Sequence, residues 1–145
     1  MVVAQLWIVR HMRGRVDYRG FFQKSAKRIS DMHARIHETF KERNTPQGRT
    51  VWEGACAEFH SSYDALAFPG GYSTALVRLE QGDVEAIEAA LVFLEVRPYF
   101  FRSGYMRETL MRRLKHVGMS EQQSKRFEAV REAQRQWRAS RVRNA

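Results

Sequence analysis

The stretch that most constrains this chain runs from Gly82 to Gly118, GDVEAIEAALVFLEVRPYFFRSGYMRETLMRRLKHVG. It reads as two helices joined by a proline-bearing aromatic corner. Gly82 can close whatever precedes it. Asp83 is a good N-cap, because its short side-chain oxygen can accept from the first free backbone N–H groups. Glu85 and Glu88 then fall at the positive end of the helix dipole. Val84, Ile87, Leu91 and Leu94 step by three and four residues and make one apolar stripe. Ala86, Ala89 and Ala90 widen that stripe and let another helix approach closely. Pro98 disfavours helical geometry at Arg97 and so ends the helix. The second helix begins near Ser103 or Gly104 and stops at Gly118. It carries Met106, Leu110, Leu114 and Val117 on one face, with Arg107, Arg112, Arg113 and Lys115 on the remainder.

Between them, Pro98 to Tyr105 holds Tyr99, Phe100, Phe101 and Tyr105 within seven residues. That is too many aromatics for an ordinary exposed loop, and two readings are open. In one the rings plug the end of the core. In the other, one or two of them join Arg102 in a binding surface, since Tyr and Arg carry much of the binding energy at interfaces. The pattern LxxGDxxAIExALxFLExxPxFFRSGYxxxxLxRxLK, from Leu79 to Lys115, resembles a segment of small bacterial proteins with no firmly assigned function. Its most distinctive piece is Phe101-Arg102-Ser103-Gly104-Tyr105. The resemblance covers about a quarter of the chain and implies a helical, repeat-like packing unit, with no catalytic residue to carry over.

The rest of the chain extends the helical pattern. Asp17 can cap a helix running to about Arg43, with Phe21, Ala26, Ile29, Met32, Ile36 and Phe40 as its stripe. Thr45 to Gly48 forms a break. Thr50 with Glu53 has the spacing of a capping box and marks a helix to about Leu66. Its buried face is Val51, Trp52, Ala55, Phe59 and Tyr63, with Cys56 beside it as a small core residue. Phe68 to Gly71 makes a turn, and a short helix from Ser73 to Gln81 turns Leu76 and Leu79 inward. Ser120 with Gln123 is a second capping box, and Phe127, Val130 and Trp137 give the last helix a thin apolar stripe. Glu121–Lys125, Glu128–Arg131 and Glu132–Arg135 are local ion pairs at helical spacing. Val2 to Val9 is an apolar run too short for periodicity to tell a strand from a helical turn; an extended form is expected. The expected fold is all-α, with five to six helices in a compact helical bundle or a short helical-repeat-like stack. It forms one domain over residues 1–145, with 1–15 and 140–145 as flexible ends.

Charge narrows the class of partner. The net charge is +9, and it is segregated. Residues 1–43 carry ten Lys/Arg against four Asp/Glu, 44–96 carry two against eight, and 97–145 carry thirteen against four. A surplus of that kind attracts something acidic by long-range steering. The single cysteine, Cys56, excludes an internal disulfide framework and suits a reducing compartment. No segment approaches the length of a membrane span, and the N-terminus lacks the features of a signal peptide.

Motifs for chemistry are sparse. His33 and His37 lie four apart on one helix, and His60 with Asp64 could complete a zinc set. However, there is no HExxH, CxxC or paired ExxH, so polar side chains on a solvated face are the expected reading. No glycine-rich phosphate loop, serine elbow or paired carboxylate frame is present; Gly70-Gly71 is a turn signal only. Nothing implies a cofactor or a metal. The residues expected to bind a partner are Tyr99, Arg102, Tyr105 and Arg107, together with Arg112, Arg113, Arg131, Arg135 and Arg138. The expected function is a non-enzymatic, cytoplasmic, protein-binding module. Its partner is an acidic protein, and by analogy the protein is an immunity or antitoxin type that neutralises a bacterial toxin. The alternative is a nucleic-acid-binding protein that uses the basic C-terminal helices, with Tyr99 or Trp137 stacking on bases.

Overall fold

A computed structural model describes residues 16–144, and every described element is a helix. They are α1 (Tyr18–Phe40), α2 (Pro46–Ala67), α3 (Ala75–Glu80), α4 (Val84–Val96), α5 (Ser103–Leu114) and α6 (Glu121–Arg143). The apolar run at 2–9 and the basic segment at 10–15 lie outside the described residues. The expected all-α bundle is what forms.

The centre is α4. Its Ala86, Ile87, Ala89, Ala90, Leu91, Phe93 and Leu94 are all buried, so the helix is apolar on most of its circumference, as a core helix must be. Around it pack α1, α3, α5 and α6. Val84, expected in the stripe, is instead exposed. It is the first helical residue, where the side chain turns to solvent. Asp83 caps as expected, accepting from the Glu85 and Ala86 N–H groups at 3.0 and 3.3 Å.

Helices α1 and α2 run antiparallel. Phe40 meets Trp52, His33 meets Phe59 and Phe22 meets Phe68, so positions fall along one helix as they rise along the other. Glu58 of α2 accepts from Arg28 and Arg35 of α1 across the seam. The buried line of α1 is Tyr18, Phe22, Ser25, Ile29 and Met32; Ile29 and Met32 are buried as expected, and the others of the expected stripe lie to one side. Phe21, Ala26 and Ile36 are only half-buried and Phe40 is exposed. Phe22 takes the centre because it packs against both Phe68 and Phe93, with ring centroids at 6.1 and 5.2 Å.

Helix α2 starts four residues before the expected capping box. Thr45 is the N-cap, accepting from the Gly48 N–H at 3.0 Å, and Pro46 occupies the first turn, where its missing N–H costs nothing. Thr50 then lies inside the helix and donates to the Pro46 carbonyl, while Glu53 pairs with Arg49. Val51 is exposed and Cys56 is half-buried rather than a core residue. Asp64 organises the following loop by accepting from both the N–H and the hydroxyl of Ser73. Gly71 there has φ +92°, and a Cβ on it would meet the Asp64 carboxylate at 2.7 Å. That carboxylate is therefore engaged in loop structure.

The capping box at Ser120 and Gln123 forms in both directions and starts α6. Phe127 is the only buried residue of α6. Arg126 ties the helix down, bridging Glu88 and Glu95 of α4 at 2.6 Å each. The helix continues through Arg143, with Trp137 exposed beneath the guanidinium of Arg141. Helix α5 ends at Leu114, earlier than the expected Gly118, and Val117 packs on the core from the turn that follows.

Candidate functional site

The corner between α4 and α5 does neither of the expected things alone; it divides its rings. Phe100 is buried, while Phe101, Tyr105 and Tyr99 are 41%, 73% and 89% exposed. The backbone sets this division. Arg97 ends α4 with φ 53°, its N–H donating to the Phe93 carbonyl at 2.9 Å. Buried Pro98 then carries the chain away from the helix axis. Arg102 starts α5 with φ 67°. These are the only two non-glycine residues with positive φ among the described residues. Each such residue costs on the order of 1 kcal/mol, so the surrounding contacts must hold the corner.

Those contacts come from below. The Phe100 N–H donates to the Ser103 hydroxyl at 3.1 Å, and the Ser103 N–H donates back to the Phe100 carbonyl at 2.9 Å. This pair satisfies buried Ser103 and closes the turn. The Tyr63 phenol of α2 donates to the Phe101 carbonyl at 2.7 Å. Burial raises the Tyr63 pKa above the usual tyrosine value, against a smaller opposing pull from Arg102, so the phenol stays a donor at neutral pH. The Phe101 ring lies flat on the His33 imidazole, with centroids 4.9 Å apart and 23° between planes. Arg102 sits over the other part of the same ring, 5.3 Å from its centroid.

The result is a groove of about 1090 Å³ between α1 and the corner. The α1 wall presents His33, His37 and Lys41; the opposite wall presents Tyr99, Phe101 and Arg102, then Tyr105 and Arg107 as α5 begins. Cations Lys41, Arg102 and Arg107 face acids Glu38 and Glu108. Burial, and then the nearby charge of Arg97, pull the Arg107 guanidinium below the usual arginine pKa. What the groove offers is recognition: open aromatic faces, phenol hydroxyls and cations side by side.

The nine residues expected to bind a partner therefore separate. Tyr99, Arg102, Tyr105 and Arg107 come together at the groove. Arg112, Arg131, Arg135 and Arg138 line a second cleft, between α5 and α6, of about 450 Å³. Arg113 joins neither: it pairs with Glu80 and ties α5 to α3. Missing from the expected set are Phe101 of the corner and, on the facing wall, His33 and His37 of α1 with Lys41 just past its end. The spacing of four between His33 and His37 placed them on one helix face, which sequence alone reads equally well as a metal-ligand pair. The structure stacks His33 and His37 edge to face at 4.7 Å and places them as a groove wall. Among the described residues no cluster of three or more His, Cys, Asp or Glu side chains could hold a metal ion. Likewise, among the described residues no helix is long and apolar enough to cross a membrane. Compared with known proteins, the chain matches no family model, no curated sequence and no solved structure.

Proposed function

We propose that the protein is a binding module that takes an acidic segment of a partner protein into the groove between α1 and the α4–α5 corner. The observation that carries this reading is the exposure of Tyr99, Phe101 and Tyr105 together on one rim beside Arg102. Clustered exposed aromatics are costly to leave in water and mark interaction surfaces. Tyr and Arg are the side chains that most often anchor an interface. The left-handed Arg97 and Arg102 add a second reason, because strain of this kind is retained where it presents a binding group. Lys41, Arg102 and Arg107 favour an acidic partner over a basic one. An immunity or antitoxin role, in which that partner is a toxin, is the narrower form of the same proposal. It draws on the segregation of charge along the chain and, by analogy, on inhibitors of that kind. A reducing compartment such as the cytoplasm suits the half-buried free thiol of Cys56.

The test is capture from the native host at moderate salt, with nuclease treatment in parallel, using wild-type protein beside Tyr99→Ala and Arg102→Ala. Both substitutions are at exposed positions, and the melt of each variant checks that the fold is kept. The expected result is one acidic protein held by the wild type after nuclease and lost from both variants. If the same proteins are held by all three, the corner is not the binding surface.

A further inference from the structure

The cleft between α5 and α6 meets the groove at Glu108 but has a different character. Its cations are Arg112 on α5, Lys115 just past its end, and Arg131, Arg135 and Arg138 on α6, opposed within the cleft only by Glu108. We propose that this cleft is a phosphate-binding site that takes consecutive phosphates of a nucleic-acid backbone. On α6 the three arginines stand four and three residues apart, so they share one face. Seven residues of helix rise about 10 Å. A row of that length suits a run of phosphates along a backbone better than a single anion.

The five cations are not equivalent. Arg135 is held by Glu128 at 3.0 Å and Glu132 at 2.6 Å, and Arg131 by Glu128 at 3.5 Å. Arg112, Lys115 and Arg138 make no ion pair among the described residues, so they are the phosphate contacts. Arg131 and Arg135 form a fixed positive wall. Met111 is the one apolar residue in its lining, the remaining apolar surface being the stems of the Arg and Lys side chains. A protein partner draws on buried apolar anchors at the centre of its interface, which the cleft lacks and the groove has. Guanidinium forks match phosphate oxygens as they match carboxylates.

The experiment measures binding of a fluorescein-labelled single-stranded DNA of about 20 nucleotides by fluorescence anisotropy, between about 50 and 200 mM NaCl. Three phosphate contacts give a slope of log affinity against log salt near −2, an affinity loss of about 20-fold across that range. Changing Arg112, Lys115 and Arg138 together to Ala should bring the slope towards zero. Changing Lys24, Arg43 and Arg49 to Ala removes the same charge elsewhere and should leave the slope in place. Arg112→Lys with Arg138→Lys should keep the slope while weakening affinity, which guards against a misfolded variant. Tyr99→Ala leaves the cleft intact and should bind the oligonucleotide as the wild type does, whatever becomes of the protein partner. No binding at 50 mM NaCl overturns the proposal. So does an equal loss in the two triple variants, or binding lost with Tyr99→Ala and kept in the cleft variant. Displacement by poly-glutamate at equal charge concentration also overturns it, and assigns the cleft to an acidic protein.

Discussion

Replacing Tyr63 with Phe removes one hydrogen bond from beneath the corner and leaves the ring where it is. The phenol donates to the Phe101 carbonyl at 2.7 Å. The ring packs on Phe59, Phe100 and Phe101 with centroids at 5.6, 6.2 and 6.4 Å. Water can reach that carbonyl once the phenol is gone, so the loss is the net worth of a neutral hydrogen bond, about 0.5–1.5 kcal/mol. A chain of this size shifts its melting temperature by roughly 2–4 °C per kcal/mol. A fall of about 1–6 °C is therefore expected for Tyr63→Phe in thermal unfolding followed by circular dichroism. Tyr63→Ala also removes a half-buried ring and should cost more, about 2–4 kcal/mol. Amide exchange locates the effect: the Ser103 N–H, bonded to the Phe100 carbonyl at 2.9 Å, should exchange faster, while amides around Phe127 in α6 should not change. A melt within about 0.5 °C of wild type, with Ser103 exchange unchanged, would refute the idea that Tyr63 holds the corner.

Arg102→Gly relieves a left-handed residue and should raise the melting temperature by about 1–3 °C, while abolishing partner capture; a fall in both would mean that Arg102 is structural. Arg126→Ala should cost about 1–2 kcal/mol, because it unpairs Glu88 and Glu95 at a site only one-third exposed, and Arg126→Lys should recover little, since the fork is lost. Arg135→Ala, whose partners Glu128 and Glu132 are more than half exposed, should leave the melt almost where it was. Stability should also decline at alkaline pH. Tyr18 has its pKa raised by burial, then by Glu85, Asp83 and Glu88, and Tyr63 by burial. Both groups thus hold their protons in the folded state after the unfolded chain has begun to release them near pH 10.0, the ordinary tyrosine value. The stability they contribute is whole below that pH and is lost as pH rises through their raised folded values. Tyr63→Phe should shallow the decline; a curve identical to wild type would contradict this.

Local signals in the sequence were readable where local chemistry decides. Asp17, Asp83 and Ser120 each cap the helix expected of them, because an N-cap needs only a side-chain oxygen and an N–H two or three residues on. Where two local signals compete, the sequence is ambiguous. Thr50 and Glu53 have capping-box spacing, yet Thr45 followed by Pro46 starts α2, because proline is disposed to the first turn. The phase of α1 was lost at the adjacent pair Phe21 and Phe22. Either could head a stripe, and only contacts with Phe68 and Phe93, far along the chain, select Phe22.

The groove was half legible for the same reason. Four aromatics near a proline drew attention to the corner, and Tyr99, Arg102, Tyr105 and Arg107 do gather there. Which rings face out depends on the left-handed turns at Arg97 and Arg102, and no pattern announces positive φ at arginine. The α1 wall lies more than 60 residues earlier in sequence, so nothing short of the tertiary packing pairs His33 with Phe101. Arg112 and Arg113 show how finely a helix divides its neighbours. One residue of rotation sends the first to the cleft with α6 and the second to Glu80 of α3.

The most direct measurement is backbone hydrogen exchange on the protein alone and with the acidic protein captured through the groove. Slowed exchange is expected at residues 99–108 and 30–41 together, with residues 121–143 unchanged. Slowing confined to 121–143, or none at the corner, would contradict a binding role for the groove.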